Sequence, residues 1–255
     1  MKSVLIAIVY HSGYGHTRRQ AEAVKTGVEQ VENAEALLLS IEEAQTRWSD
    51  LAAAEAIVFG APTYTGGVSA AFKAFQEASS HAVMIKGLGW KNKIAAGFTN
   101  SGSRSGDKLA TLIEIALFAA QHGMHWINLG LPPGNHSTKG SENDLNRLGF
   151  WLGAGAQSNT DQGPDRAPPE ADLRTAERLG RRVAETTLQW VRGRHARSCW
   201  TNAKNFIRMS KCALLLRHSY EAIGTFRWLN KEQKGRKHYE IRNACLSIAG
   251  NVRSP

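Results

Sequence analysis

The run Val4-Leu5-Ile6-Ala7-Ile8-Val9-Tyr10, followed directly by His11-Ser12-Gly13-Tyr14-Gly15-His16-Thr17, decides how the rest of the chain is read. Its first half is short, apolar and rich in β-branched residues, with no alternation that would leave one face wet. A parallel strand covered by helices on both faces reads this way. Its second half is a glycine- and hydroxyl-rich turn that leads into a helix. Thr17 is the expected N-cap, and Ala21, Val24, Val28 and Val31 recur at helical spacing. Strand, small-residue turn and helix N-terminus together offer backbone N–H groups and a helix dipole to a phosphate. The expectation is a phosphate-bearing cofactor held at this turn.

The turn does not match two common phosphate loops. A P-loop requires Lys-Ser or Lys-Thr after its glycines, and none follows here. A dinucleotide loop requires a third glycine for close helix–strand packing, and Arg18 stands in that place. What remains is Ser-x-x-x-x-Thr, hydroxyls at both ends with glycines between, suited to wrapping a terminal phosphomonoester such as that of FMN with neutral donors. An ordinary glycine turn has the same local pattern, so the decision comes from the rest of the chain.

Outward from this stretch, apolar strands alternate with amphipathic helices. Ala34 to Ser40 gives a second strand, and Trp48 to Ala54 a helical turn. Ala56-Ile57-Val58-Phe59-Gly60 is a third strand, running into the loop Ala61 to Gly67. A helix then carries Val68, Ala71, Phe72 and Phe75 on one face. Residues 80–90 read as irregular. A fourth strand, Lys93 to Thr99, enters a polar loop from Asn100 to Gly106. The next helix, through Leu109, Leu112, Ile113, Ala116 and Leu117, closes at His122-Gly123 with glycine as its C-cap. Met124 to Leu129 is the expected fifth strand. Residues 131–168 are rich in Gly, Pro, Asn and Ser, and loops of this length often form lids. A last helix follows Pro168-Pro169, with Leu173, Ala176, Leu179, Val183 and Leu188 on one face.

This alternation implies an α/β fold: a five-stranded parallel sheet in the order 2-1-3-4-5 between two helical layers, with its ligand outside the strands' carboxyl ends. The three unusual loops follow strands one, three and four, so all open on that edge. Their convergence is the strongest functional signal in the sequence.

Charge and cysteine usage divide the chain. Residues 195–255 hold 12 of the 32 Lys+Arg but 3 of the 22 Asp+Glu, a net +9 that leaves +1 for residues 1–194. All three cysteines (Cys199, Cys212, Cys245) lie in that basic tail without zinc-like spacing, the pattern of free thiols in a reducing compartment. The expected domains are 1–194, with a sizeable core, and a basic C-terminal extension at 195–255, disordered or partly helical. No stretch reads as a signal peptide or membrane span, so a cytoplasmic protein is expected.

With the loops placed, the chain resembles the flavodoxin superfamily, and most of all its FMN-dependent NAD(P)H:quinone oxidoreductases of the tryptophan-repressor-binding-protein type and the related NADPH-dependent FMN reductases. The resemblance covers roughly residues 2–193. Ser12-Gly13-Tyr14-Gly15-His16-Thr17 is similar to that family's loop around the FMN phosphate, and Tyr14 resembles a tyrosine near the nicotinamide. Pro62-Thr63-Tyr64-Thr65-Gly66 resembles the family's Pro-Thr-Arg-Phe-Gly loop against the isoalloxazine ring, with Tyr64 and Thr65 in place of Arg and Phe. Asn100-Ser101-Gly102-Ser103-Arg104-Ser105 resembles the loop at the ring's polar edge. His122, before Gly123-Met124, matches a His-Gly-Met whose histidine reaches the flavin site. The segment between strands two and three is shorter than in the quinone reductases, and the family's active-site tryptophan has no counterpart near Ile85.

The resemblance implies FMN as cofactor, NAD(P)H as co-substrate, a quinone or similar acceptor, and a homo-oligomer, dimer or tetramer. The chemistry belongs to the flavin and the protein supplies binding and polarity, so no catalytic acid, base or nucleophile is named. Arg104 reads as a contact for the 2′-phosphate of NADPH or as a solvated loop residue. No metal site is expected, because His11, His16, His122, His125 and His136 show no ligand spacing. Two rival readings are a flavodoxin-type electron carrier and a flavin-binding regulator. In the tail, Lys204 to Arg217 reads as a basic amphipathic helix for membrane or nucleic acid. The preferred reading is an extension without function, since nothing there continues the alternation of elements.

Overall fold

A computed structural model describes residues 3–194; the basic segment on which the tail expectations rest lies outside the described residues. In chain order the elements are β1 (Val4–Tyr10), α1 (His16–Glu29), β2 (Ala34–Ser40), α2 (Ile41–Thr46), α3 (Trp48–Ala53), β3 (Ala56–Tyr64), β4 (Gly67–Val68), α4 (Ala70–Ser79), β5 (Ile94–Ser101), α5 (Lys108–Gln121), β6 (His125–Trp126), β7 (Ala154–Gln157) and α6 (170–194). A π-helical turn over Ser80–Met84 follows α4, in the stretch expected to be irregular.

The parallel sheet has the order β2-β1-β3-β5-β6, the five positions expected. β1 pairs with β2 on one side and β3 on the other, so the order reverses at β1, where open α/β sheets hold their ligands. The fifth position is built in two pieces. β6 pairs with Ile94 and Ala95 at the start of β5, and β7 pairs with Phe98 to Ser101 at its end. Residues 127–153 form an insertion between them. The expected fifth strand, Met124 to Leu129, is therefore shorter than its apolar pattern suggested. β7 lies in a segment expected to be loop.

Alternation along the central strands sorts side chains onto two faces. Ala7, Val9, Ile57, Phe59 and Ala95 point into an aromatic layer with Phe72, Phe75, Trp90 and Phe118. Ile6, Ile8, Val58, Ala96 and Phe98 point into an aliphatic layer with Val24 and Val28 of α1 and Leu179 and Val183 of α6. Each fully buried Val, Leu, Ile or Phe among them contributes about 1.5–3 kcal/mol of transfer free energy. On the aliphatic face, α1 and α6 cross at Gly27 and Gly180. A Cβ on either would lie about 2 Å from a carbonyl oxygen of the other helix, so only glycine permits this approach.

Two other local expectations shift. α1 starts at His16, with Gly15 as N-cap in the left-handed region, and Thr17 is buried in the first turn rather than capping it. The loop expected from Ala61 is strand as far as Tyr64. Thr65 and Gly66, both at positive φ, make a two-residue hairpin turn into β4.

Candidate functional site

At the carboxyl edge, the segments after β1, β3, β5 and β7 enclose a cleft of about 570 Å³. Ser12, Tyr14, His16, Thr17, Pro62, Thr63, Tyr64, Asn100, Ser101 and Gly102 line it, so the three loops singled out from sequence do converge.

Loop one is a backbone cradle. Gly15 holds φ 86°, and a Cβ there would sit 2.8 Å from Pro164, so the turn is closed from above by the far segment. The Ser12 hydroxyl accepts from the Arg18 amide at 3.1 Å, and the Arg19 amide reaches the Gly15 carbonyl. The amides of His16 and Thr17, the first two of α1, find no protein acceptor among the described residues. The Thr17 side chain is buried, yet its hydroxyl has no described partner and the residue lines the cleft. Open helix-start amides and a free hydroxyl are the donor set a phosphomonoester requires. FMN fits this end.

The opposite wall is held rigid by side chains. The Thr63 hydroxyl bonds those of Thr99 and Thr111, each at 2.8 Å, and Asn100 bonds Ser158 in both directions at 3.0 and 3.2 Å. Tyr64 stands over loop one: its ring lies 6.3 Å from that of Tyr14, edge to face, and a Cβ on Gly13 would meet its hydroxyl. Burial raises the Tyr64 pKa, the neighbouring Tyr14 adds to this, and the Gly13 backbone opposes it. Thr65 and Gly66 form the hairpin tip beside the cleft.

The expected lid segment supplies the fourth wall through Ser158, Thr160, Gln162 and Gly163, none of which was named from sequence. The His16 imidazole bonds the Gln162 carbonyl at 2.7 Å and joins this wall to loop one. Gln157 donates to the Gly102 carbonyl at 3.0 Å, and Asp172 accepts from the Gln157 amide. Asp172 also holds the buried Arg147 through two bonds of 2.8 and 2.9 Å, and Arg147 reaches Glu142, which in turn pairs with Arg104. The Arg147–Asp172 pair thus fastens the insertion and β7 to α6.

Four sequence-selected residues sit elsewhere. Arg104 and Ser105 line a separate groove of about 910 Å³ with Trp151 and Leu109, and Ser103 turns its carbonyl inward rather than lining the cleft. His122 is a correction. It is fully buried between Trp90 and Phe118, with Nε2 3.0 Å from the Ser79 hydroxyl and Nδ1 unpartnered. α5 begins at loop three and runs 14 residues, about 21 Å, so its far end lies at the opposite edge of the sheet. Burial lowers the His122 pKa to about 4 and keeps the ring neutral.

Comparison with known proteins identifies the family and the fold. Residues 6–132 match the family model described as NADPH-dependent FMN reductase. The chain is 41% identical to the protein named flavodoxin FldP of Pseudomonas aeruginosa, over 71% of this chain and 96% of that protein. It is 30% identical to a protein named NAD(P)H dehydrogenase (quinone) of Geobacter sulfurreducens, over 71% and 96%. Among solved structures, a WrbA-like flavodoxin from Agrobacterium tumefaciens superposes with a TM-score of 0.57 and 39% identity, covering 73% of this chain and 99% of that one.

Proposed function

The chain belongs to the flavodoxin-like family of FMN-dependent NAD(P)H:quinone oxidoreductases and NADPH-dependent FMN reductases, and from that premise we propose that it passes hydride from NAD(P)H through FMN to a quinone-type acceptor. The observation that carries this reading is the single cleft on which the segments after β1, β3, β5 and β7 converge, with open α1 amides at one end.

Bound FMN supplies the hydride and electron chemistry. The residues of the chain do the rest. The amides of His16 and Thr17 with the Thr17 hydroxyl hold the phosphate. Tyr64 packs against the ring, with Tyr14 beside it at the mouth. Asn100, Ser101 and Gly102 border the ring's polar edge, where fixed backbone dipoles favour developing negative charge. The Ser158 to Gly163 wall excludes water. Residues 1–194 form the working domain; 71–73% of the chain is enough to match 96–99% of the three relatives named above.

Purified protein oxidising NADPH in the presence of benzoquinone, with turnover dependent on added FMN, is the expected result. A second reading, an electron carrier without nicotinamide turnover, is favoured by the names of the 41% and 39% identical proteins, both flavodoxins. Tight FMN binding with no NADPH oxidation would select it.

A further inference from the structure

Lys108 is fully buried at the first position of α5, where the helix dipole disfavours a cation. Its ammonium donates to the carbonyls of Ser103, Arg104 and Ser105 at 2.5, 2.9 and 3.3 Å, which satisfies all three of its protons. Its nitrogen also lies 5.9 Å from the centre of the Phe150 ring. Among the described residues no carboxylate pairs with it, because the nearby Asp172 is taken up by Arg147.

This arrangement has a consequence for the turn it holds. In a trans peptide the C=O and the following N–H point in opposite directions. With three carbonyls drawn inward, the amides of Arg104, Ser105 and Gly106 face away from the ammonium, and none has a protein acceptor among the described residues. The same turn begins at Ser101 and Gly102, which line the cleft. A cation that no carboxylate among the described residues pairs with is therefore held inside the turn that leads on from Ser101 and Gly102, and it attracts negative charge acquired at that border of the cleft.

We propose that Lys108 is a positioning residue for the redox cofactor: its buried ammonium clamps the 102–106 turn with amides outward and, as a fixed charge in the turn that continues from that wall, favours the reduced cofactor over the oxidised one. The inference rests on FMN occupying the cleft. The charged groups around Lys108 are Asp172 from α6 and Arg147 from the insertion, with Glu142 and Arg104 beyond them. Burial brings the Lys108 pKa down to about 8, Asp172 opposing and Arg147 adding to the effect. Reduction of bound FMN then draws a proton onto Lys108 near that pH.

The test is the two-electron potential of bound FMN between pH 6.5 and 9.5 in the wild type, Lys108→Met and Lys108→Arg, together with FMN affinity in both redox states. At pH 7 the expected result for Lys108→Met is about tenfold weaker binding of reduced relative to oxidised FMN, equal to a potential ~30 mV lower. Lys108→Arg keeps the charge and recovers part of this. The wild-type potential falls more steeply with pH around 8, and both variants lack that steeper segment. Equal potentials in wild type and Lys108→Met overturn the inference alone. If neither variant folds, a wild-type profile without the steeper segment overturns it. A wild type that binds no FMN overturns the proposed function as well.

Discussion

The two ends of α5 each bury a base, and they resolve it in opposite ways. Lys108 at the N-terminus stays a cation with a pKa of about 8, whereas His122 at the C-terminal cap is held neutral with a pKa of about 4. The helix macrodipole argues for the reverse, cation at the C-terminus and neutral group at the N-terminus, but it is worth only about 0.3–1 kcal/mol at most sites. The acceptors within reach decide. Lys108 has three carbonyl oxygens, while His122 has one serine hydroxyl and two aromatic faces. The end that keeps its charge holds the turn that leads on from the cleft's Ser101 and Gly102, and the end that loses it is core.

The largest effect is expected at the Lys108 end. Asp172→Ala leaves the Arg147 side chain, 4% exposed, with only the exposed Glu142 as carboxylate and removes the acceptor of the Gln157 amide, so a loss of about 3 kcal/mol is expected in urea unfolding. A loss below about 1 kcal/mol would mean that the insertion is held by other contacts and that the charge pattern behind Lys108 is looser than described.

At the other end, the folded His122 pKa lies below its usual 6.5. The unfolded chain therefore binds the extra proton first, and stability is fully present above pH 6.5 and declines as pH falls towards 4. The shift corresponds to about 3 kcal/mol across that window. His122→Gln should flatten this part of the stability–pH curve; an unchanged slope would place the acid sensitivity elsewhere.

The smallest effect belongs to the phosphate end of the cleft, which does not depend on α5. Thr17→Val keeps the shape and removes the free hydroxyl, costing about 1 kcal/mol of FMN binding, roughly five- to tenfold in Kd, with the melting temperature unchanged. Equal affinity would mean that the amides of loop one act alone.

These regions also differ in how far sequence reveals them. Val4–Tyr10 and the turn after it are legible because strand, loop and helix start are contiguous, and the sheet order follows from their repetition. β7 is not legible: Ala154-Gly155-Ala156-Gln157 has little strand character of its own and pairs because the upper half of β5 requires a neighbour. Ser158 to Gly163 are missed with it. His122 is misassigned from a three-residue resemblance, although helix length alone carries it about 21 Å from loop three. Lys108 is not singled out from sequence, and only folding brings the three carbonyls around it.

The most direct test of the site is titration of FMN fluorescence with wild-type protein, Thr17→Val and His122→Gln at pH 7.5. One FMN bound per chain is expected, with weaker binding in Thr17→Val and an unchanged Kd in His122→Gln. No saturable binding by the wild type, or loss of binding in His122→Gln with Thr17→Val unaffected, would contradict a site at the carboxyl edge.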